Sequence, residues 1–126
     1  MITGLYAGLS GLLLVALYLR VSQRRLAMKI GAGTGGDAEL EQRIRAHANF
    51  VENAPIVLIL LFLTEQSGMA SIYVHAFGAA FVIARLAHAQ GISSTMGRSN
   101  GRFFGSIGSL LVTLGLSMVL IIRALG

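Results

Sequence analysis

Residues 45–55 read Arg45-Ala46-His47-Ala48-Asn49-Phe50-Val51-Glu52-Asn53-Ala54-Pro55 and run directly into an almost wholly aliphatic stretch, 56–63. On a helix, Arg45, Asn49 and Glu52 are spaced by four and three residues, so they share one face, with His47 on a neighbouring one. A cation, an amide and an anion stacked where an apolar segment leaves the membrane core are costly unless they meet something. Further polar groups occur at the matching ends of other apolar stretches. Arg85 and His88 lie one helical turn apart, followed by Gln90, and Arg98-Ser99 stands just before the last stretch. Arg24 and Arg25 end the first stretch and can join them. Together these residues predict a cation-rich pocket at interface depth with one carboxylate, Glu52, in it.

Such a pocket suits a particular guest. Several arginines and a helix N-terminus favour an anion with more than one carboxylate. Glu52 favours a ligand ammonium. Arg98, at the positive end of the last helix, can hold a thiol as thiolate, because a nearby cation and a helix N-terminus lower a thiol's pKa. A small peptide with two carboxylates, an amine and a thiol meets those demands, and glutathione is such a molecule. Plainer readings compete. Arg45 and Glu52 can neutralise each other across two turns, Arg85 can snorkel to lipid phosphate, and His88 can be a satisfied interior histidine. His47, His75 and His88 lack metal-ligand spacing and no carboxylate completes a set, so no metal is expected. Tyr6, Tyr18 and Tyr73 read as interfacial anchors rather than acids. The chain has no nucleophilic serine or cysteine motif.

The elements that must position these residues are membrane helices. The chain has 126 residues, 55% hydrophobic and only 12% charged, with mean hydropathy +0.75, against about 25% charged for a soluble domain. No soluble fold of this size has an interior large enough for so much aliphatic surface. The composition therefore predicts an all-α membrane protein with one domain, 1–126. With no cysteine, it has no disulfide or thiol of its own. The net charge of +5 sits at the ends of apolar segments, which indicates membrane topology rather than a nucleic-acid partner.

Four apolar segments can be drawn, at about 2–19 (continuing as a more polar helix to Lys29), 53–64 (preceded by a polar helix from Ala38), 69–89 and 103–125. A span needs about 20 residues. The second is short unless its polar first turns also lie at membrane depth, facing a cavity or another subunit. The first lacks the basic start and cleavage region of a signal peptide and reads as a retained span. Gly31, Gly33, Gly35 and Gly36 make loop one, and Asp37 is a plausible N-cap for the next helix. A phosphate loop would need a Lys-Ser/Thr pair and a preceding strand, and neither is present. Residues 65–68 make a tight hairpin, and 91–101 a polar third loop. Arg20, Arg24, Arg25, Lys29, Arg43 and Arg45 flank loop one, and Arg85, Arg98 and Arg102 flank loop three. The positive-inside rule then places loops one and three in the cytoplasm and both termini outside, with Arg123 an end-of-helix anchor. Gly101 and Gly105, four apart, fit close helix packing. Pro55 removes a helical hydrogen bond to Val51 and is expected to bend the helix.

Arg45-x-His47-x-Asn49-x-x-Glu52-x-x-Pro55 resembles the second-helix motif of the MAPEG proteins, the membrane-associated proteins in eicosanoid and glutathione metabolism. Arg85-Leu86-Ala87-His88 is similar to the third-helix motif of its prostaglandin E synthase branch. Ala84-Arg85-Leu86 with Gln90-Gly91 is similar to the leukotriene C synthase branch. Arg98-Ser99 looks like the family's pair before helix four, and Arg24-Arg25 like its basic pair after helix one. The resemblance covers essentially the whole chain and points to the prokaryotic branch, hence a bacterial inner membrane. It implies a homotrimer of four-helix subunits holding glutathione between neighbours near the cytoplasmic surface. It further implies that Arg45, His47, Asn49, Glu52, Arg85, His88 and Ser99 bind the peptide. Arg98 would stabilise the thiolate, and Arg24 or Arg25 would approach from another subunit. One departure stands out: Ile92 occupies the position of a family tyrosine, one turn beyond His88. Two activities follow from the resemblance. One is a glutathione transferase or peroxidase-like enzyme acting on a small lipophilic electrophile drawn from the bilayer. The other, favoured by Ile92, is a non-catalytic lipid- or ligand-binding trimer. A small transporter subunit ranks last, because no helix is interrupted at mid-membrane.

Overall fold

The computed structural model describes the chain apart from Thr95, Met96 and Arg98 and the side chains of Ser93 and Ser94. Four helices follow in order: α1, Ile2–Met28; α2, Ala38–Gln66; α3, Ser71–Ser94; and α4, Asn100–Leu125. At 1.5 Å per residue they are about 36 to 44 Å long, more than the roughly 30 Å of bilayer hydrocarbon. All four are long and apolar enough to cross a membrane. A helix satisfies its own backbone, which lipid demands. The surface is that of a protein dissolved in lipid: Leu12, Ile72, Ile83, Phe104 and Ile122 are each more than 60% exposed.

α2 and α3 form the middle of the bundle. α3 packs along α4 and α1 along α2, while among the described residues α1 does not meet α4. Phe81, Leu61, Val57, Val74 and Leu116 fill the interior. Glycines set the closest approaches. A Cβ on Gly105 would stand 2.6 Å from the Ala84 carbonyl oxygen and from His88 Cβ. One on Gly101 would stand 2.6 Å from the Ala87 oxygen. The expected close packing at these two positions is thus observed between α3 and α4.

Polar side chains fix the helix ends. The Glu65 carboxylate accepts from the Ile2 and Thr3 backbone N–H groups at 2.6 and 2.7 Å, which satisfies two of the orphan donors at the start of α1. Asp37 caps α2 through Leu40 N at 2.7 Å, and Ser99 caps α4 through Arg102 N at 3.1 Å. Arg123 donates to the Ser67 carbonyl at 2.6 Å. The N-terminus, the α2–α3 hairpin and the end of α4 therefore share one end of the bundle.

Two expectations need correction. Residues 91–94 continue α3 instead of opening a loop, and α4 starts at Asn100, three residues early. The cause is packing: Gly91 is buried where a Cβ would strike Ser99 Oγ and the Arg102 backbone, so the two helices stay in contact almost to the turn. As the sequence indicates, α2 is one helix from Ala38 to Gln66 and runs unbroken through Pro55. Its polar turns thus belong to the span-length element. Tyr6 is no interfacial anchor. It is 7% exposed, packs on Gly78, and its hydroxyl lies 2.8 Å from His75 Nδ1. Tyr18 and Tyr73 are more than half exposed.

Candidate functional site

The third helix brings Arg85 into the interior, where it is 2% exposed. Its Nη1 donates to Ser109 Oγ on α4 at 3.2 Å, and its Nη2 donates to Asn49 Oδ1 on α2. Asn49 is steadied in turn, its carbonyl accepting from Asn53 Nδ2 at 2.7 Å. Ser109 lies nine residues into α4, so the guanidinium sits about 14 Å from that helix start, well below headgroup depth. Arg85 therefore does not snorkel. Both acceptors are neutral, and among the described residues no carboxylate reaches it. Its Nε has no partner there either. A charge at that depth is normally paired, so this one is only half satisfied.

His88 follows one turn later, 3% exposed. Its Nδ1 also lacks a hydrogen-bond partner among the described residues, so the satisfied interior histidine is not what is found. The missing Cβ of Gly105 lets α4 come up against His88. The buried Arg85, His88 and Ser109 and the half-buried Asn49 thus form one polar column through α2, α3 and α4.

The other expected residues lie around this column. Arg45 and Glu52 are exposed on the outer side of α2 and form no ion pair with each other. The His47 ring stands 6.2 Å from Tyr18. Ser99 sits at the start of α4 beside Gly91. Arg24 makes a two-pronged contact with Asp37 at 3.0 and 2.8 Å and reaches Glu39 at 3.2 Å. Its guanidinium, with the Leu40 N–H, holds the Asp37 carboxyl below the usual carboxylate range. Arg25 ties loop one by donating to the Gly33 carbonyl at 2.8 Å. Within one chain both arginines serve loop one. Arg98 lies outside the described residues. Ile92, at the position where the resemblance expects a tyrosine, is 2% exposed and joins the apolar core.

Ser109 was not anticipated, although hairpin arithmetic offers a signal for it. Arg85 and Ser109 are equally far in sequence from Gly97, and Asn49 and Arg85 are equally far from Ser67. Antiparallel helices joined by short turns bring such residues level.

Fold and column together define a four-helix membrane protein with a buried, unneutralised cation at the loop-one and loop-three end. The family profile described as MAPEG matches residues 3–122, and the chain belongs to that family, which includes glutathione-dependent enzymes. Among its relatives are the inner membrane protein YecN of Escherichia coli strain K12 and the same protein of Escherichia coli O6:H1 strain CFT073. Each is 37% identical over 91 residues, which are 72% of this chain and 70% of the relative. Four apolar spans and these relatives make it an integral inner membrane protein.

Proposed function

We propose that this protein binds glutathione as a homotrimer and conjugates it to lipophilic electrophiles, as a glutathione transferase or peroxidase-like enzyme. The observation that supports this most is Arg85, a buried guanidinium whose partners are a serine and an amide and which lacks an anion. A carboxylate of the peptide would supply one. Asn49, His88 and Ser99 lie along the same polar region. Arg45 and Glu52 stand on the exposed side of α2, with the half-buried His47 beside Tyr18 of α1, where a neighbouring copy can close the site over them. Arg24 or Arg25 of that copy would exchange loop-one partners for the peptide. Arg98 would hold the sulfur as thiolate. In the reaction the thiol proton passes to solvent, the sulfur forms a bond to the electrophilic carbon, and the leaving group departs with the electron pair of its bond. Proximity supplies much of the rate when thiolate and lipid-dissolved substrate meet in one groove.

Purified protein should show a saturable rise in thermal midpoint with glutathione and a weaker one with its S-methyl analogue. It should also conjugate 1-chloro-2,4-dinitrobenzene, and Arg98→Ala should remove conjugation. Absence of any shift with glutathione sinks the reading. Ile92 favours a second one, a ligand-binding trimer without turnover, because it supplies no hydroxyl beside the thiol. Saturable binding with no conjugation of any electrophile would select it.

A further inference from the structure

The loop-one end of α1 carries an open cavity of about 550 Å³ that shares no residue with the polar column. Ser22, Arg25, Leu26, Lys29, Ile30 and Gly31 line it. Counted from Ile2 at one edge of the hydrocarbon, Ser22 stands about 30 Å along α1 and Arg25 about 35 Å. The hydrocarbon is roughly 30 Å thick, so the cavity opens at the level of lipid phosphates.

Its charge is uncompensated. The ion pairs at this end belong to other cations, since Asp37 holds Arg24, and Glu39 holds Arg24 and Arg43. No acidic side chain lines the cavity, and among the described residues Arg25 and Lys29 form no ion pair. Arg25 engages only Nη1, on the Ile30 and Gly33 carbonyls at 3.5 and 2.8 Å, although a guanidinium has five N–H donors. Lys29 is held where a lysine is costly. It is the C-cap of α1 at φ 56° and ψ 41°, a left-handed conformation that glycine or asparagine adopts more easily. Loop one has glycines at four positions, yet this one keeps a long cation. Toward mid-membrane the same side of the helix is apolar. Ser22 and Leu26 lie opposite the buried Leu17 by helical periodicity. Leu12, Val15 and Leu19 continue that side and are 70%, 54% and 48% exposed.

We propose that this cavity is a binding site for an acidic phospholipid, with the phosphate at Arg25 and Lys29 and an acyl chain along Leu19, Val15 and Leu12. A zwitterionic headgroup suits it less, because its ammonium would enter a cavity with two cations and no carboxylate. Basic pockets beside membrane helices take acidic lipids for this reason. The site lies on α1, whereas Arg45 and Glu52, given above to a neighbouring copy, lie on α2. It does not rest on the glutathione reading, and it leaves Arg24, on the side of α1 that meets Asp37, as the arginine that would reach the peptide.

The test uses the full chain in phosphatidylcholine vesicles doped with phosphatidylglycerol that carries a diazirine on one acyl chain. Label should concentrate in peptides covering 12–31. Unlabelled phosphatidylglycerol should displace it, and neither extra phosphatidylcholine nor inorganic phosphate should. Lys29→Asn removes the charge with a residue that tolerates the left-handed position. It should lower the preference for the acidic lipid about fivefold, and adding Arg25→Gln should abolish it. Lys29→Arg should retain it. Arg102→Gln, at the same end of the bundle on α4, should retain it too, because a site and not the general field of the basic end selects the lipid. Equal displacement by phosphatidylcholine, displacement by phosphate alone, or a preference that survives the double variant would overturn the proposal. Equal losses in Lys29→Asn and Arg102→Gln would do the same. So would absence of label from 12–31 because a second copy of the chain covers that side of α1.

Discussion

At the scale of single residues, the question is what Arg85 is for. An isolated charge in an apolar interior is destabilising, and two hydrogen bonds to neutral acceptors recover only part of that. A residue kept under those conditions for function rather than stability should be replaceable by an apolar isostere without loss of stability. Arg85→Met conserves most of the volume and removes the charge. It should leave the thermal midpoint equal or higher while weakening glutathione binding by about tenfold or more, the loss expected for a charge-assisted hydrogen bond of roughly 1.5–3 kcal/mol. A lower midpoint with glutathione binding intact would make Arg85 a structural bolt between α2, α3 and α4. Asn49 and Ser109 hold the guanidinium in either case. Only the anion distinguishes the two.

At the scale of elements, the α3–α4 seam decides how closely His88 is held. A Cβ at Gly105 would sit 2.6 Å from backbone and from the His88 Cβ, so neither neighbour can simply rotate away. Gly105→Ala should therefore destabilise the protein by about 1–3 kcal/mol, as overpacking does. Gly8→Ala, facing open space on α1, should be neutral or slightly stabilising by helix propensity. Thermal unfolding in detergent compares the two, and equal effects would mean that the seam is looser than described. The seam also shows what could be read in advance. The spacing of Gly101 and Gly105 announced close packing, and long apolar runs with basic ends announced four helices. Composition misplaces the end of α3 because Gly91 and the serines after it look like a loop, while the packing of Gly91 against α4 depends on a partner not visible locally. The burial of Tyr6 was hidden for the same reason, since only the meeting of α1 with Gly78 creates its slot. In the polar column, Arg85, His88 and Asn49 were legible as types at helical spacing. The exposure of Arg45 and Glu52 was not, because which face of α2 turns inward is settled by its neighbours in the bundle.

At the scale of the whole molecule, charge is distributed unequally between the two ends of the bundle. The loop-one and loop-three end gathers Arg20, Arg24, Arg25, Lys29, Arg43, Arg45 and Arg102, whereas the opposite end has Arg123, beside Ser67. Three acidic side chains offset part of the first group, since Asp37 and Glu39 engage Arg24 and Arg43 and Glu41 lies nearby in the sequence. Acidic residues contribute little to orientation, so the basic excess still decides it. The inference is that the basic end faces the cytoplasm, which would put the proposed peptide site there too. The chain has no cysteine, so single cysteines report sidedness cleanly. Ala32→Cys in loop one and Gln66→Cys at the end of α2 are both exposed positions. A membrane-impermeant maleimide should label the Gln66 variant in intact spheroplasts and the Ala32 variant only after permeabilisation. The reverse pattern would turn the bundle over. Arg85 and His88 would then open toward the outer face, and the peptide would have to come from outside the cell.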